Sequence, residues 1–524
     1  MPCAPSSPTP EPFVLAHRPW FYEIVSVAGF RASSSVLRSR QTSRKRSSTM
    51  TFAKSLVSLL ATAAAVTACV SVLEKDVVVI GGGASGCHAA FRLREDYGKS
   101  ILLVEKRTHL GGHVNSYDAE SGTSYNYGVQ SFLDVHGGAE FVNDRLGVAT
   151  ATPGRTATTT RYVDFATGED FDYTAPTSSE LSAALAKYAE ICAQYEDKVL
   201  PSFWDFWAPE DIPEELLIPF GEFVKNHGIE AIVPTLFKVT GMGLGDVTNV
   251  LTLWVIQAFG GPMARSFLGT QSSFAPASGR NQDIYDAFAD KLGDDVVYSS
   301  TVLSAKRSDQ GVLITVATAN NKTLSVKAKK LLLAIEPTER DLAPFDLDDQ
   351  EEAVFDKFSY SSIQAGIVSN PALPKGYSVT NLPSDASPSN WLVLPDLTFT
   401  ARFDYMGTET AENRDYFRVL VIGTADLTGA GAKELAQTNF DTLIKAGAVE
   451  TPESSTLDFV AFAEHGPMHA RVSAEELKAG FIQDLYALQG LRSTWWTGGA
   501  WFAQFQTHLW WYNDILLPKL IADM

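Results

Sequence analysis

The chain has 524 residues, which is enough for two or three domains with a sizeable buried core. Its 45% content of hydrophobic residues indicates a globular protein rather than a disordered one. The formal net charge is −19, and no basic stretch follows Lys75, so the composition argues against nucleic acid as a partner.

The start of the chain has the composition of a leader rather than of a folded domain. Residues 1–49 are rich in Ser, Pro and Arg and are expected to be an unstructured extension. Residues 50–69 begin at Met50 and combine one lysine, a short apolar run and small residues, a pattern typical of a secretory signal peptide. The expected location is the secretory pathway, with an organellar transit peptide or lipidation of Cys69 as alternatives. No later run is long and apolar enough to predict an integral membrane segment.

A glycine-rich turn follows the first strongly apolar segment. Val77–Ile80 predict a buried parallel strand, and Cys87–Leu93 predict the start of a helix. Between them Gly81, Gly83 and Gly86 form G-x-G-x-x-G, which permits a tight turn, close approach of the backbone to a pyrophosphate, and close packing of helix on strand. The helix N-terminus would favour the negative charge of that diphosphate.

A second apolar strand, SILLVEK, supports the same interpretation. It contains Glu105, which lies roughly twenty residues beyond the glycines, where a carboxylate that binds ribose is expected. The order of strand, glycines, helix, strand and acid predicts dinucleotide binding. The alternative is an ordinary βαβ turn with an incidental surface glutamate.

Three further segments resemble the flavin-containing amine oxidase superfamily. EKRTHLGGHV resembles the E-x-R-x-x-x-G-G-R stretch of these enzymes, with His113 where they usually carry Arg. YNYGVQSF resembles their D-x-G stretch, with Asn126 in place of Asp. The C-terminal TGG resembles the closing A-G-[ED] motif, although Gly499 replaces the acid. The resemblance implies FAD rather than NAD as the cofactor.

The resemblance also implies which residues bind FAD, with Val302 lining the adenine and Thr497 lying at the flavin. No catalytic residue and no metal ligand are assigned. No cysteine lies near Gly498, which favours non-covalent flavin. The predicted cofactor-binding residues are Gly81, Gly83, Ala84, Ser85, Gly86, Glu105, Lys106, Arg107, Gly111, Gly112, His113, Gly128, Val129, Val302, Thr497 and Gly498.

The fold class that the resemblance implies is α/β, with a discontinuous Rossmann-type FAD-binding domain and an inserted α+β substrate domain. The FAD-binding domain is expected over residues 74–135, 275–345 and 471–524. The substrate domain is expected over residues 136–274, read as mostly helical, and 346–470, read as strands and helices.

Four local expectations concern the inserted segments and the C-terminus. The patterns predict a helix over Thr248–Phe259, a strand at WLVLP, and a long helix that follows directly after Gly499. His465 and His469 are expected to have surface or structural roles rather than to act as bases.

The form LVEKxxxLGGHV, with the LLPKL end, is most similar to a subgroup of the superfamily. That subgroup includes enzymes similar to fungal β-cyclopiazonate dehydrogenase and flavin-dependent polyunsaturated fatty acid isomerases. It implies an oxidoreductase that abstracts a hydride from an activated C–H bond of a small apolar or aromatic metabolite, with oxygen or another molecule as electron acceptor. The alternatives are a redox-neutral fatty acid isomerase, which needs no acceptor, an amine oxidase, and a non-catalytic flavin-binding protein.

Overall fold

The computed structural model describes residues 72–154, 156–320 and 322–524, so the expected extension and signal peptide lie outside the described residues. The strands are β1 (Val72–Ile80), β2 (Ile101–Val104), β3 (Ser116–Asp118), β4 (Ser124–Asn126), β5 (Phe132–Leu133), β6 (Thr150–Ala151), β7 (Thr159–Val163), β8 (Ser273–Pro276), β9 (Val296–Val297), β10 (Thr301–Ser308), β11 (Gly311–Ala317), β12 (Thr323–Leu333), β13 (Ser359–Ser369), β14 (Tyr377–Asn381), β15 (Phe399–Glu409), β16 (Arg414–Thr424), β17 (Asp458–Arg471) and β18 (Thr494–Trp496). The α-helices are α1 (Ala84–Glu95), α2 (Gly138–Glu140), α3 (Ser178–Ala193), α4 (Glu196–Val199), α5 (Phe220–His227), α6 (Val233–Val239), α7 (Thr252–Ala258), α8 (Gly261–Phe267), α9 (Asp283–Leu292), α10 (Glu339–Leu342), α11 (Asp349–Phe355), α12 (Gly429–Ala446), α13 (Ala474–Lys478), α14 (Phe481–Ala487) and α15 (Gln506–Ala522).

The first sheet carries the strand that precedes the glycine-rich turn. Its strand order is β9–β2–β1–β12–β11–β10, and β18 also pairs with β12. Strands β9, β2, β1, β12 and β18 are parallel, whereas β10, β11 and β12 form antiparallel pairs. Val77, Val78 and Val79 are fully buried. Burial on both faces of a parallel sheet explains why β1 is continuously apolar rather than alternating.

The register of the parallel strands aligns their carboxyl ends. Ile80 pairs with Val104 on one side and with Leu333 on the other, and Leu333 pairs with Trp496. In open parallel sheets, ligands bind in the crevice outside these carboxyl ends. The residues that come next along the chain lie side by side at this edge, and they are Glu105, Gly81, Ala334 and Thr497.

The second sheet has the order β17–β13–β16–β15–β14–β7. It is antiparallel except for the parallel pair of β14 and β7. Strand β7 comes from the first inserted segment and the others come from the second, so both segments build one sheet. The buried side chains of Ala432, Ala436 and Phe440 pack helix α12 against this sheet. A Rossmann-type sheet built from separated segments, with an inserted α+β layer, is the fold class that the sequence predicted.

Helices α3 to α8 lie between β7 and β8 in the chain, as the helical pattern of this segment predicted. Helix α3 begins with a capping box, in which Thr177 and Glu180 satisfy each other's backbone N–H groups. The buried Tyr188 hydroxyl donates a 2.7 Å hydrogen bond to the carbonyl oxygen of Phe259. This bond ties α3 to the residue that follows α7.

Two expected elements differ from the structure. The helix expected from Thr248 begins at Thr252, because the carbonyl oxygens of Thr248 and Val250 accept hydrogen bonds from the backbone at the start of α5. The strand expected at WLVLP is absent among the described residues: the Val393 N–H closes a turn onto the carbonyl oxygen of Asn390. Pro395, which has no N–H to donate, ends this stretch.

None of the helices in the described part of the chain combines the length and the apolar character needed to cross a bilayer.

Candidate active site

The glycine-rich loop after β1 leaves no room for side chains at two positions. Gly81 has φ of 103°, and a Cβ atom there would lie 2.5 Å from the carbonyl oxygen of Ala334. A Cβ atom on Gly86 would overlap the carbonyl oxygen of Gly81. These glycines therefore permit the turn and the close packing of α1 on the sheet, as the motif predicted.

Gly83 has a different environment, because it faces a second glycine loop. A Cβ atom on Gly112 would lie only 2.9 Å from the Cα atom of Gly83, and the Gly111 N–H donates a 2.9 Å hydrogen bond to the Gly82 carbonyl oxygen. A Cβ atom on Gly83 would meet only the Cα atom of Gly112, at 3.7 Å. Two backbone loops thus form a cradle without side chains at the start of α1.

Glu105 is buried beside this cradle at the end of β2. Its two carboxylate oxygens accept hydrogen bonds of 2.7 Å from the N–H groups of Gly82 and Arg107. A carboxylate has about four acceptor positions, so it retains capacity for ribose hydroxyls. The Ser300 N–H donates to the Glu105 carbonyl oxygen, which brings the start of β10, and with it Val302, next to Glu105. The neighbouring side chain of Lys106 is exposed.

Arg107 connects the second glycine loop to the inserted sheet. Its guanidinium donates hydrogen bonds of 2.6 Å to the carbonyl oxygen of Gly112 and of 3.1 Å to that of Glu464. Gly128 packs so tightly that a Cβ atom there would overlap the carbonyl oxygen of His113, and the Val129 N–H donates to the same oxygen. The structure thus brings together the predicted residues of both segments.

Three histidines gather on this side of the cradle. The ring of His113 lies 4.7 Å from that of His465, and His465 Nε2 is 2.9 Å from Asn115 Nδ2. Burial lowers the pKa of His113 to about 4 and that of His469 to about 3, and it holds the pKa of His465 well below its usual range. All three imidazoles are therefore neutral at neutral pH. Both histidines of β17 are at least partly buried rather than placed on the surface.

The closing motif meets the first glycine loop through Asn513. The Thr497 N–H donates to the carbonyl oxygen of Leu333, and its hydroxyl donates a 2.7 Å hydrogen bond to Asn513 Oδ1. Asn513 Nδ2 in turn donates to the carbonyl oxygen of Ser85. Gly498, with φ of 121°, has no atom within 4 Å of a would-be Cβ position. Thr497 and Gly498 thus lie at the same sheet edge as the glycine loop.

The expectation that a long helix follows directly after Gly499 is wrong. A single 3₁₀ turn spans Gly499–Trp501, and α15 begins only at Gln506. The fully buried rings of Trp496 and Trp501 stack 5.8 Å apart, which holds this segment in the core. Gly498 and Gly499 are therefore followed by this short turn and not by the N-terminus of α15.

Two cavities lie beside the closing motif. The larger lies among residues of β5, α3, α4, α7, α8, the segment before α15 and the first turn of α15, and it is in part open to solvent. The smaller is lined in part by His469, Gly499 and Gln504. Gln257, Phe502 and Ala503 line both cavities, which makes them neighbours. The smaller cavity therefore lies next to the larger one and is lined by the segment where the flavin is expected.

The lining of the larger cavity is mainly apolar. Its one carboxylate, Glu196, is paired with the Arg265 guanidinium, with 2.7 Å between Nη1 and Oε1. Burial lowers the pKa of His508, another lining residue, to about 4, so its ring is neutral at neutral pH. Sequence patterns alone did not identify these lining residues. Most of them lie in the helical insertion or after TGG. In both segments the hydrophobic pattern of the sequence does not distinguish residues that line a cavity from residues that pack in the core.

The described residues fit the diphosphate of a flavin dinucleotide such as FAD. The cradle is one that Cβ atoms would fill, and the buried Ser85 hydroxyl at the start of α1 has no hydrogen-bond partner among the described residues. A buried polar group of this kind normally has a partner, which a phosphate oxygen would supply. Fold and site together define an FAD-binding oxidoreductase of the amine-oxidase-like type.

Comparison with known proteins supports this class. Residues 79–143 match the family model of the NAD(P)-binding Rossmann-like domain. The chain is 32% identical over 454 residues to β-cyclopiazonate dehydrogenase of Aspergillus flavus, covering 86% of this chain and 94% of that protein. It is 31% identical over 469 residues to an FAD-dependent oxidoreductase of Monascus ruber, covering 87% and 93% of the two chains.

Solved structures show the same fold. A fatty acid isomerase from P. acnes that produces conjugated linoleic acid aligns with a TM-score of 0.65 at 18% identity, covering 85% of this chain and 98% of the isomerase. A putrescine oxidase aligns with a TM-score of 0.57 at 17% identity, covering 86% and 100% of the two chains. The chain belongs to the family of FAD-dependent oxidoreductases that includes β-cyclopiazonate dehydrogenase.

Proposed function

We propose that this protein oxidises a small apolar or aromatic metabolite by removing a hydride from an activated C–H bond. The observation that carries the proposal is a pair of neighbouring cavities, one with a mainly apolar lining and one lined in part by Gly499 of the closing motif. FAD supplies the hydride acceptor when it is bound, whereas the protein supplies binding, orientation and exclusion of water. The name of one relative, β-cyclopiazonate dehydrogenase, supports a substrate related in kind to β-cyclopiazonate.

The chain's own groups suit such a substrate. The apolar lining desolvates an apolar body, and neutral His469 offers one polar contact at the end nearest the closing motif. A protonated amine would need a free carboxylate, and the one in the lining, Glu196, is already paired with Arg265. This pairing disfavours the amine oxidase alternative. The proposed division of labour assigns substrate binding to residues 136–274 and 346–470.

The second candidate function is a redox-neutral isomerase of polyunsaturated fatty acids. The apolar chamber also suits an acyl chain, and the P. acnes isomerase shares the fold. The two candidates differ in the fate of the hydride. In the dehydrogenase the substrate loses the hydride and one proton as a new double bond forms, and two electrons and two protons pass to dioxygen, which gives hydrogen peroxide, or to another acceptor. The isomerase instead returns the hydride to another carbon of the same molecule.

An anaerobic assay separates the two functions. The flavin-loaded protein is incubated without oxygen with linoleic acid and, separately, with β-cyclopiazonate and other polycyclic metabolites, while flavin and conjugated-diene absorbance are followed. We expect one round of flavin bleaching with a polycyclic metabolite, reversed by admitting oxygen or a dye acceptor. Many turnovers to a conjugated diene without oxygen would instead establish the isomerase. A flavin that no member of either class reduces would contradict both.

We also propose that the protein enters the secretory pathway, on the composition of residues 50–69. The full chain with a C-terminal tag is expressed in a fungal host, and the N-terminus of the mature protein is sequenced. Tagged protein in the medium, beginning close to residue 70, is the expected result. Tagged protein that co-purifies with an organelle would favour the transit-peptide alternative.

A further inference from the structure

The carboxyl group of Glu336 lies between the two ends of the candidate FAD site. Glu336 follows β12 in a turn that packs against the first glycine loop, since the Ala334 carbonyl oxygen lies 2.5 Å from the ideal Cβ position of Gly81. On its other side, Gln504 Nε2 donates a 3.0 Å hydrogen bond to Glu336 Oε1. The turn that carries Glu336 thus packs on the loop that would hold the diphosphate, while its carboxyl group is bound by the segment that follows Gly498 and Gly499.

Gln504 occupies the space that a side chain at residue 499 would need. A Cβ atom on Gly499 would overlap the side-chain amide of Gln504. Both residues line the smaller cavity. The absence of a side chain at Gly499, the one departure in the closing motif, therefore makes room for the amide that holds Glu336.

Half of the Glu336 carboxyl group is unsatisfied. Oε2 is buried and has no hydrogen-bond partner in the part of the chain that the structure describes. Burial raises the pKa of this carboxyl to about 7, and the hydrogen bond from Gln504 opposes that rise only in part. A buried carboxyl oxygen without a donor destabilises the protein, so its position calls for a donor from a ligand.

We propose that Glu336 is a further FAD-binding residue, whose Oε2 accepts a hydrogen bond from a hydroxyl of the ribityl chain while Gln504 holds the carboxyl in place. In FAD the ribityl chain connects the diphosphate to the isoalloxazine ring. The glycine loop and the closing motif would hold those two ends, and Glu336 lies between them. The inference rests on FAD binding alone, so it stands or falls independently of the proposed substrate.

The test compares FAD affinities of the full-length protein. FAD-free protein is titrated with FAD, and quenching of flavin fluorescence gives the dissociation constant for the wild type, Glu336→Ala and the control Glu339→Ala. Glu339 is an exposed glutamate three residues further along the chain. We expect Glu336→Ala to bind FAD about tenfold more weakly, as loss of a hydrogen bond to a buried carboxyl group implies, and the control to stay within about twofold.

Melting temperatures separate cofactor binding from a structural role. Glu336→Ala should lower the melting temperature of the FAD-loaded protein but not that of the FAD-free protein, which should stay the same or rise because the buried oxygen without a donor is removed. Glu336→Gln keeps an acceptor oxygen and should restore part of the affinity. Gln504→Ala should weaken binding less than Glu336→Ala, and the double variant should bind no more weakly than Glu336→Ala because both act on one contact. Unchanged affinity in Glu336→Ala, or equal destabilisation of both forms, would overturn the proposal.

Discussion

Replacing Gly83 with valine is expected to give a folded protein that retains no FAD. Gly83 has φ of −83° and ψ of −166°, an extended conformation that a β-branched residue adopts without strain. Its Cβ atom would meet only the Cα atom of Gly112, at 3.7 Å. The added methyl groups would instead fill the cradle in which a diphosphate approaches the backbone.

The measurement is the ratio of flavin to protein after purification, with the melting temperature of the FAD-free form as a second readout. We expect fewer than about one flavin in ten chains, because steric exclusion removes the backbone contacts to the diphosphate. The melting temperature should match that of wild-type protein stripped of FAD. Gly154→Val is the matched control, since Gly154 is exposed and a Cβ atom there would meet nothing within 4 Å. A Gly83→Val protein with a full complement of flavin would show that the cradle does not hold the cofactor.

Gly86 explains why the position of the substitution matters. A Cβ atom on Gly86 would overlap the carbonyl oxygen of Gly81, so any side chain there forces α1 away from the sheet. Substitution at Gly86 would therefore confound loss of FAD with loss of folding. The two glycines belong to one motif and yet test different properties, cofactor access at Gly83 and helix packing at Gly86.

The sequence was sufficient to predict the edge of the first sheet. The apolar strands, the glycine motif and Glu105 are local patterns, and parallel pairing then aligns the residues that follow each strand. Thr497 reaches the same edge because β18 joins the sheet in register with β12. Local pattern and strand register together were enough to bring these predicted residues to one edge.

Contacts between side chains distant in the chain were not predictable. Gln504 and Glu336 are 168 residues apart, and no periodicity relates them. The neutrality of His469 depends on burial by surrounding elements rather than on its own sequence context. The start of α15 was misjudged because burial of Trp501 competes with helix formation after Gly499. Tertiary packing therefore decided the features that the local pattern missed.

Replacing Ala503 with phenylalanine is expected to abolish turnover while FAD stays bound. Ala503 is buried and lines both cavities, so a larger side chain would extend into the space where they meet. A substrate that reaches the flavin through the larger cavity would then be blocked before its reacting carbon arrives. A displacement of the reacting carbon by only about 1 Å already costs about 100-fold in rate.

The measurement is the rate of anaerobic flavin reduction by the substrate that the oxygen-free assay identifies, compared with chemical reduction by dithionite. We expect kcat/KM to fall by at least about 100-fold in Ala503→Phe, with flavin content and dithionite reduction unchanged. Ala503→Gly, which leaves the junction open, should retain turnover. Ala430→Phe adds the same ring at an exposed residue of α12 and should leave kcat/KM unchanged. A wild-type rate of flavin reduction in Ala503→Phe would show that the substrate approaches the flavin by another route. If the larger cavity is the substrate chamber, closing its junction with the smaller cavity must lower that rate.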